Sequence, residues 1–297
     1  MKLRIGTRRS RLALAQAEEV AAALRRDGHE VELVPMTTSG DRGAEPSTDT
    51  AGLKGLFVAE IVRALQAGEV DLAVHSAKDL PAKDEDGLII AAVPERVSAL
   101  DVLVTREGEL VPGARVGTSS VRRQAQLFRW RPDVLLKDLR GNVDTRLRRL
   151  ADGEVEALVL AAAGLLRLGV VPEHAEPMSL TEMVPAPGQG CLAVQAREDD
   201  AATVAALTAL DHGPSHDALT AERTLMRALG GGCALPLGAF SERTAQRMRM
   251  VAIVLTPDGG RTARAEVEAT TPEEVAELAR LDLVAGGAQE ILAAVGP

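Results

Sequence analysis

Apolar and polar positions along the first part of the chain predict strands and helices in turn. Residues 3–6 read as a strand, and Ser10 is a candidate N-cap for a helix whose apolar residues recur at helical spacing and which ends near Gly28. Residues 30–36 alternate as a strand does, and residues 55–65 again have a helical pattern. A strand–helix–strand succession of this kind predicts an α/β unit with a parallel sheet.

The next strand ends in an unusual way. Its apolar residues, around 70–74, run without a turn signal into His75-Ser76-Ala77-Lys78-Asp79, which Pro81 closes. Ligands of open α/β sheets bind beyond the carboxyl ends of the strands, so this polar ending predicts part of a binding site. The polar, Gly-rich residues 37–53 predict a long loop, a kind of segment that often has a function.

One stretch of the chain resembles another. Residues 65–80 align without gaps to residues 150–165, and both contain a Gly-Glu-Val before an apolar run. Either this is a common α/β pattern or the chain contains two similar α/β domains. In both cases the contrast is informative, because the second copy ends in Ala161-Ala162-Ala163-Gly164 where the first ends in polar residues. A strand at this position therefore does not require the polar ending.

The last third of the chain changes character. A helix is predicted from about His216 to Leu229, followed by short strands with a hairpin turn at 257–260 and a final helix from Thr271. This pattern predicts a small α+β domain. Residues 182–190, which contain two prolines, predict a stiff segment that crosses between the larger regions.

Composition narrows the class of protein. A length of 297 residues suggests two or three domains, and 46% apolar residues with 1% aromatics predict cores of Ala, Val, Leu and Ile. A net charge of −9 argues against a general nucleic-acid binder. Two cysteines indicate a reducing compartment. The N-terminus does not read as a signal peptide, and no apolar run is long enough for a membrane helix, so we expect a soluble, cytoplasmic protein.

Basic residues gather where predicted strands end. The clusters lie at residues 7–11, 117–123 and 139–149, and each contains Arg together with small hydroxyl residues or Gly and Asn. Backbone N–H groups at helix starts bind anions, and Arg adds a bidentate fork for carboxylate or phosphate. Any single cluster could be a solvated helix face, but three at equivalent positions favour a shared polyanionic ligand. No Walker A motif or dinucleotide fingerprint is present, so this anion is not an obvious nucleotide.

Few histidines and cysteines are candidates for metal binding, catalysis or covalent attachment of a group. His212 and His216 are separated by Gly and Pro, so they do not share a regular helix, and we expect no metal site. His75 is expected to be a hydrogen-bonded core residue, and Cys191 lies in an apolar run typical of a core. Cys233 follows three glycines, so it is either a small turn residue or a reachable thiol that could carry a covalent group.

Taken together, these stretches resemble the porphobilinogen deaminase family, also called hydroxymethylbilane synthase. The resemblance covers nearly the whole chain. Its motifs are RIGTR at 4–8, KGLF at 54–57, AVHSAKD at 73–79, VGTSSVRRQ at 116–124, LRGNV at 139–143, AGLLRLG at 163–169, PGQG at 187–190, AER at 221–223 and GGC at 231–233.

The resemblance implies a fold and a reaction. The fold is α/β, with two similar periplasmic-binding-protein-like lobes and a small C-terminal α+β domain. The implied domains are residues 1–94 with 190–210, residues 95–189, and residues 211–297. The implied reaction joins four porphobilinogen molecules head-to-tail with loss of ammonia. It takes place on a dipyrromethane cofactor held by a thioether to Cys233, and water then releases the linear tetrapyrrole.

The resemblance also implies roles for individual residues, at the positions where this sequence matches the family's motifs. Asp79 matches the catalytic aspartate, whose carboxylate would stabilise the positive charge left when ammonia departs. The positions that match cofactor-binding residues are Cys233, Lys78, Ser76, Thr118, Ser119, Ser120, Arg122, Arg123, Arg140, Gly141 and Arg146. The positions that match substrate-binding residues are Arg8, Ser10, Lys54, Phe57, Arg167 and Gln189.

Two other functions stay open. A two-lobed protein could bind an anion without catalysis, although this leaves Cys233 and the third domain without a role. A relative that has lost activity is a further alternative, against which the intact Asp79, Cys233 and arginine set argue. We expect a monomer that binds porphobilinogen and the growing polypyrrole, with neither nucleic acid nor membrane as a partner.

Overall fold

The computed structural model describes residues 1–36, 50–230 and 235–295, with the side chains of 50–57 and 295 left aside. The first elements along the chain are β1 (Lys2–Arg8), α1 (Arg11–Arg26), β2 (Glu30–Met36), α2 (Thr50–Gln66), β3 (Leu72–Ser76) and β4 (Leu88–Ala92). The next are β5 (Asp101–Thr105), β6 (Arg115–Gly117), α3 (Val121–Trp130), β7 (Leu135–Lys137), α4 (Val143–Ala151), β8 (Ala157–Ala161), α5 (Ala162–Leu168) and β9 (Ala175–Pro177). The last are β10 (Leu192–Arg197), α6 (Ala201–Leu207), α7 (Gly213–Ala228), β11 (Leu237–Thr244), β12 (Arg247–Leu255), β13 (Thr262–Ala269), α8 (Pro272–Ala285) and α9 (Ala288–Val295).

The first sheet has the strand order β2-β1-β3-β10-β4. We call this sheet, with α1, α2 and α6, lobe 1. Strand β1 pairs in parallel with β2 and β3, which confirms the predicted parallel arrangement, whereas β10 runs antiparallel to β3 and β4 and makes the sheet mixed. Buried residues of α1, such as Val20 and Leu24, pack with Leu72 on one face, and Ile61 of α2 packs with Ala73 on the other.

The second sheet repeats this topology. Its order is β7-β6-β8-β5-β9, in which β6 pairs in parallel with β7 and β8, and β5 runs antiparallel to β8 and β9. We call this sheet, with α3, α4 and α5, lobe 2. Residues 72–76 and 157–161 are equivalent third strands of the two sheets, so the sequence likeness of 65–80 and 150–165 reflects two similar α/β lobes. The predicted fold class is confirmed.

Helix α1 shows how closely local sequence specifies an element. The Ser10 side chain accepts a hydrogen bond from the Ala13 N–H at 3.2 Å, as the N-cap assignment predicted. The helix ends at Arg26, and Gly28 follows with φ of 85°. That backbone conformation favours glycine, so the chain reverses here into β2.

The C-terminal unit is an antiparallel sheet, β11-β12-β13, packed with α7, α8 and α9. The predicted turn at 257–260 joins β12 to β13, and Thr271 caps α8 with a capping box to Glu274. Two boundaries differ from the sequence prediction. The single final helix is divided at Gly286-Gly287 into α8 and α9, and α7 begins at Gly213, because Pro214 is favourable in a first helical turn.

The loop predicted for residues 37–53 is also shorter than expected, since α2 begins at Thr50; residues 37–49 lie outside the described part of the chain.

Two crossings connect the lobes, at residues 93–100 and 182–191, and they touch each other. A Cβ atom at Gly190 would lie 2.8 Å from the carbonyl oxygens of Val97 and Ser98, so only glycine fits there. Beside this contact, buried Arg96 pairs with Glu222 of α7 at 2.7 Å. The crossings are thereby tied to the C-terminal unit. Removing one partner of such a buried pair typically costs about 3–5 kcal/mol.

Candidate active site

Asp79 lies at the carboxyl end of the central strand β3. The strand ends at Ser76, and a single 3-10 turn, Ala77–Asp79, follows it. The Ala77 N–H donates to the Cys191 carbonyl oxygen at 3.1 Å, which ties the turn to the start of β10. The carboxylate is therefore held by a hydrogen-bonded turn just beyond the strand, half-buried at the sheet edge where ligands of such sheets bind.

A cavity of about 70 Å³ lies beside this turn. Its polar lining comprises Arg8, Ser10, Gln16, His75, Ser76 and Asp79. The structure thus brings together four residues singled out from the sequence, Arg8, Ser10, Ser76 and Asp79. Gln16 was missed, although it donates to the Ser76 hydroxyl at 2.7 Å. Its signal in the sequence was a polar residue among the regularly spaced apolar positions of α1.

His75 lies in the wall of this cavity. It is buried, as predicted, and its ring has a hydrogen-bonding interaction with the Gln195 side chain, whereas its Nε2 makes no hydrogen bond within the described residues. Burial lowers the pKa of His75 to about 4. The imidazole is therefore neutral near pH 7 and leaves the Asp79 carboxylate without a cationic histidine partner.

Gln189, which matches a substrate-binding position, is not among the residues that line the cavity beside Asp79. The residue is fully buried at the second crossing. Its amide donates to Ala99 O at 2.8 Å and to Asp101 at 3.0 Å, while its oxygen accepts from Lys78 Nζ at 3.3 Å. Gln189 therefore connects Lys78 of lobe 1 to residues 99–101 at the start of lobe 2.

Lobe 2 presents a helix start at the corresponding sheet edge. Thr118 follows β6, and its hydroxyl accepts from the Ser120 N–H at 3.2 Å. Ser120 is the N-cap of α3, and Ser119 beside it is half-buried. Helix starts of this kind attract anions, because their first N–H groups have no partner within the helix.

Arg122 and Arg123 follow directly, but they point into the protein. Their guanidinium groups pair with fully buried Asp101 at 2.8 and 2.6 Å, and they also donate to the carbonyl oxygens of Val184 and Val159. Burial alone would raise the pKa of Asp101, but the two arginine charges outweigh it and hold that pKa well below its usual value. Both arginines, which match cofactor-binding positions, are thus held by an internal carboxylate in this structure.

Three further residues that match cofactor-binding positions follow β7, in the loop and in α4. Arg140 is exposed and lies near Asp138, and the Gly141 carbonyl oxygen accepts from Arg146 Nε at 2.8 Å. Burial, together with the charge of Arg123, lowers the pKa of Arg146 to about 10. Positive charge is therefore concentrated here, and a bound anion would be favourable.

Arg167 lies apart from that cluster, at the end of α5. Its side chain is 5% exposed and pairs with Glu19 of α1 at 2.9 Å. It is thus located between the lobes instead of in the cavity beside Asp79. Cys191 is buried in the core, as predicted, and burial raises the pKa of its thiol to about 12. Cys233 and the side chains of Lys54 and Phe57 lie outside the described residues.

The described residues contain no group of three potential metal-binding side chains. His212 precedes α7 as its N-cap and contacts Ser215, whereas His216 contacts Asp211. Among the described helices, none combines the length and apolar character needed to span a bilayer.

Comparison with known proteins decides the family. The model "Porphobilinogen deaminase, dipyromethane cofactor binding domain" matches residues 3–205, and "Porphobilinogen deaminase, C-terminal domain" matches residues 217–284. The porphobilinogen deaminases of Acidothermus cellulolyticus and Thermus thermophilus are 46% and 44% identical to this chain. Each alignment covers 98% of this chain, with 91% and 98% of the respective relative.

The chain belongs to the porphobilinogen deaminase family. The predicted enzyme class, the dipyrromethane cofactor and a place in tetrapyrrole biosynthesis are thereby confirmed.

Two solved structures are also similar in fold. The aliphatic sulphonate binding protein SsuA of Escherichia coli matches with a TM-score of 0.40 and 14% identity, over 76% of this chain and 70% of that one. The second substrate binding domain of a putative amino acid ABC transporter from Streptococcus pneumoniae matches with a TM-score of 0.45 and 12% identity, over 77% and 95%.

The residues of this porphobilinogen deaminase relative fit an acidic cofactor. Arg122 and Arg123 pair with a single buried carboxylate, Asp101, beside the helix start at Ser120, and the charge of Arg123 also acts on Arg146. The acid arms of a dipyrromethane would supply the missing negative charge. Asp101 was missed in the sequence because nothing local marks an aspartate at a strand start as the partner of two arginines 21 and 22 residues later.

Proposed function

We propose that this chain is an active hydroxymethylbilane synthase. It joins four porphobilinogen molecules head-to-tail, releases ammonia at each addition and hydrolyses the linear hydroxymethylbilane from a covalent primer. The observation that carries the proposal is the carboxylate of Asp79 in a cavity with Arg8, Ser10 and Gln16. A two-lobed binding protein without chemistry is the weaker candidate, because binding acid arms requires no carboxylate at that position.

Asp79 is the proposed catalytic residue. Departure of ammonia leaves positive charge on the substrate, shared with the pyrrole nitrogen, and a carboxylate beside that N–H stabilises it. The site is half-buried, so the electrostatic interaction is stronger than it would be in water. Neutral His75 leaves the negative charge of Asp79 available to the substrate.

The cofactor would be held from both lobes. When bound through Cys233, dipyrromethane supplies the pyrrole carbon to which the first substrate unit is joined. Lys78 and Ser76 lie on the lobe 1 side of that primer. On the lobe 2 side, the proposed contacts are Thr118, Ser119, Ser120, Arg122, Arg123, Arg140, Gly141 and Arg146. Arg140 is exposed and could reach a ligand directly, whereas buried Arg122 and Arg123 would act chiefly through their charge.

Arg8 and Ser10 are the proposed substrate contacts in the cavity, with Lys54 and Phe57 from α2. Arg167 is kept as a contact for an acid arm that reaches the boundary between the lobes. Gln189 is instead a connecting residue, because its amide is fully buried.

The proposed domains are residues 1–94 with 190–210, residues 95–189, and residues 211–297. The strand exchange supports them: β10 completes the lobe 1 sheet after the chain has passed through lobe 2. Two crossings of this type allow lobes to move relative to each other as a product lengthens. We further propose that the protein acts as a cytoplasmic monomer without membrane or nucleic-acid partners. Sedimentation of the purified protein in the presence of its product tests the monomeric state.

The intact mass of the purified chain tests the proposed function. We expect a covalent adduct of two linked pyrroles and turnover of porphobilinogen. Cys233→Ser should lack both, whereas Cys191→Ser, which changes the other cysteine, should keep the adduct. An unmodified wild-type chain that binds porphobilinogen without converting it would favour the binding protein instead.

A further inference from the structure

Arg167 joins the two lobes through its guanidinium group. Its Nε donates to Glu19 of α1 at 2.9 Å, and its Nη1 donates to the Gly190 carbonyl oxygen at 3.2 Å. The side chain is 5% exposed, and its Nη2 has no hydrogen-bond partner among the described residues. A buried guanidinium with an unused donor is incompletely satisfied, which is uncommon in protein interiors.

This ion pair lies close to the catalytic turn. Glu19 is three residues beyond Gln16, thus about one turn further along α1, and Gln16 donates to Ser76. On the other side, Gly190 precedes Cys191, whose carbonyl oxygen holds the Ala77 N–H. A group that displaced Glu19 from Arg167 would therefore lie about one helical turn from the proposed reaction site.

The surrounding contact between α1 and α5 is a weakly held seam. Leu12 of α1 lies against Gly164 of α5, and Arg11 Nη2 donates to the Leu168 carbonyl oxygen of α5 at 3.4 Å. Arg11 also pairs with Asp144 of the neighbouring helix α4 at 2.9 Å on the exposed surface. Ion pairs of this exposed type contribute little to stability, because water and salt screen them. The Arg167–Glu19 ion pair, in which the arginine side chain is 5% exposed, is therefore a principal polar contact between the two helices.

The two partners of that pair differ in solvent exposure. The Glu19 side chain is 39% exposed, so its carboxylate can leave for water, whereas Arg167 is nearly enclosed. We propose that Glu19 is a placeholder carboxylate, which holds Arg167 and keeps the seam closed until an acid arm of the growing polypyrrole replaces it. The proposal rests on the proposed function. The exchange replaces one carboxylate with another, so the charge at Arg167 stays balanced while α1 and α5 become free to separate.

The test compares Glu19→Gln with Glu18→Gln. Glu18 is the preceding residue of α1, is exposed, and pairs with Arg25, away from the seam. Because Glu19→Gln removes the competing charge, we expect the KM for porphobilinogen to fall about two- to fivefold with kcat unchanged. In the absence of substrate, deuterium uptake by the 162–168 segment should rise in this variant. Glu18→Gln should match wild type in both measurements.

Unchanged or raised KM in Glu19→Gln, or unchanged deuterium uptake, overturns the placeholder role. Failure of the wild type to convert porphobilinogen would overturn the proposed function instead. In that case the deuterium uptake, which needs no turnover, would still decide whether Glu19 holds the seam.

Discussion

The two lobes share one topology but end their third strands differently. In lobe 1, β3 leads into a turn that carries Lys78 and Asp79, whereas in lobe 2, β8 leads directly into α5 with Ala162, Ala163 and Gly164. Lobe 2 instead buries positive charge around Asp101. Because the same fold forms with an apolar ending, the fold itself does not require the polar one. Under the proposed function, lobe 1 carries the reacting carboxylate, and lobe 2 carries charge that holds acid arms.

The largest expected change in stability comes from the lobe 2 cluster. Asp101→Asn leaves two buried arginines without a counter-charge, so we expect the free energy of unfolding to fall by about 3–5 kcal/mol. Urea denaturation measures this. Asp138→Asn, which removes an exposed partner of Arg140, should change stability little. If both variants unfold at the wild-type urea concentration, the buried cluster is not what stabilises lobe 2.

A smaller change in stability should distinguish His75 of lobe 1 from Asp101 of lobe 2, because the two groups titrate over different pH ranges. The pKa of buried His75 falls from 6.5 to about 4 on folding, so the unfolded chain binds the extra proton first. Stability should therefore decline as pH drops from about 6.5 to about 4, by about 3 kcal/mol in total. Asp101, whose pKa is lowered, loses its contribution only at pH below its ordinary value of 3.8.

Urea titrations between pH 7 and pH 4 test this assignment, with His75→Gln as the comparison. The variant should lose the wild-type slope over this range. A slope that persists in His75→Gln would show that another group causes it.

The smallest expected effect comes from replacing Gly164, which follows β8 in lobe 2, and tests whether turnover requires a glycine there. A Cβ atom at Gly164 would meet Val143 and Leu12 side-chain atoms at 3.6 and 3.8 Å, which are ordinary contacts. Gly164→Ala should thus leave turnover unchanged and stabilise the chain by about 0.5–1 kcal/mol, since alanine favours helix. Thermal unfolding and steady-state rates check both expectations. A marked loss of turnover would mean that the end of β8 contributes to the reaction.

Much of the fold was predictable because it depends on local signals. The Ser10 cap, the turn at 257–260 and the likeness of 65–80 to 150–165 are all visible within short stretches of sequence. The same holds for Asp79, because four polar residues at a strand end stand out.

Partners distant in sequence were not predictable. Gln189 carried no sign that it would be buried, and the pairing of Arg122 and Arg123 with Asp101 depends on how two crossings fold back together. Motif matching identified these residues but not the direction in which their side chains point. Glu19 was missed because an acidic residue on an exposed helix face is ordinary until α5 is packed against it.

The central claim is that the carboxylate of Asp79 performs the chemistry of lobe 1. The most direct test is the rate at which the intact mass of primer-bearing Asp79→Asn increases after mixing with porphobilinogen. The account predicts that the variant keeps the primer and adds pyrrole units at least about 100-fold more slowly than wild type. Addition at the wild-type rate by Asp79→Asn would contradict it.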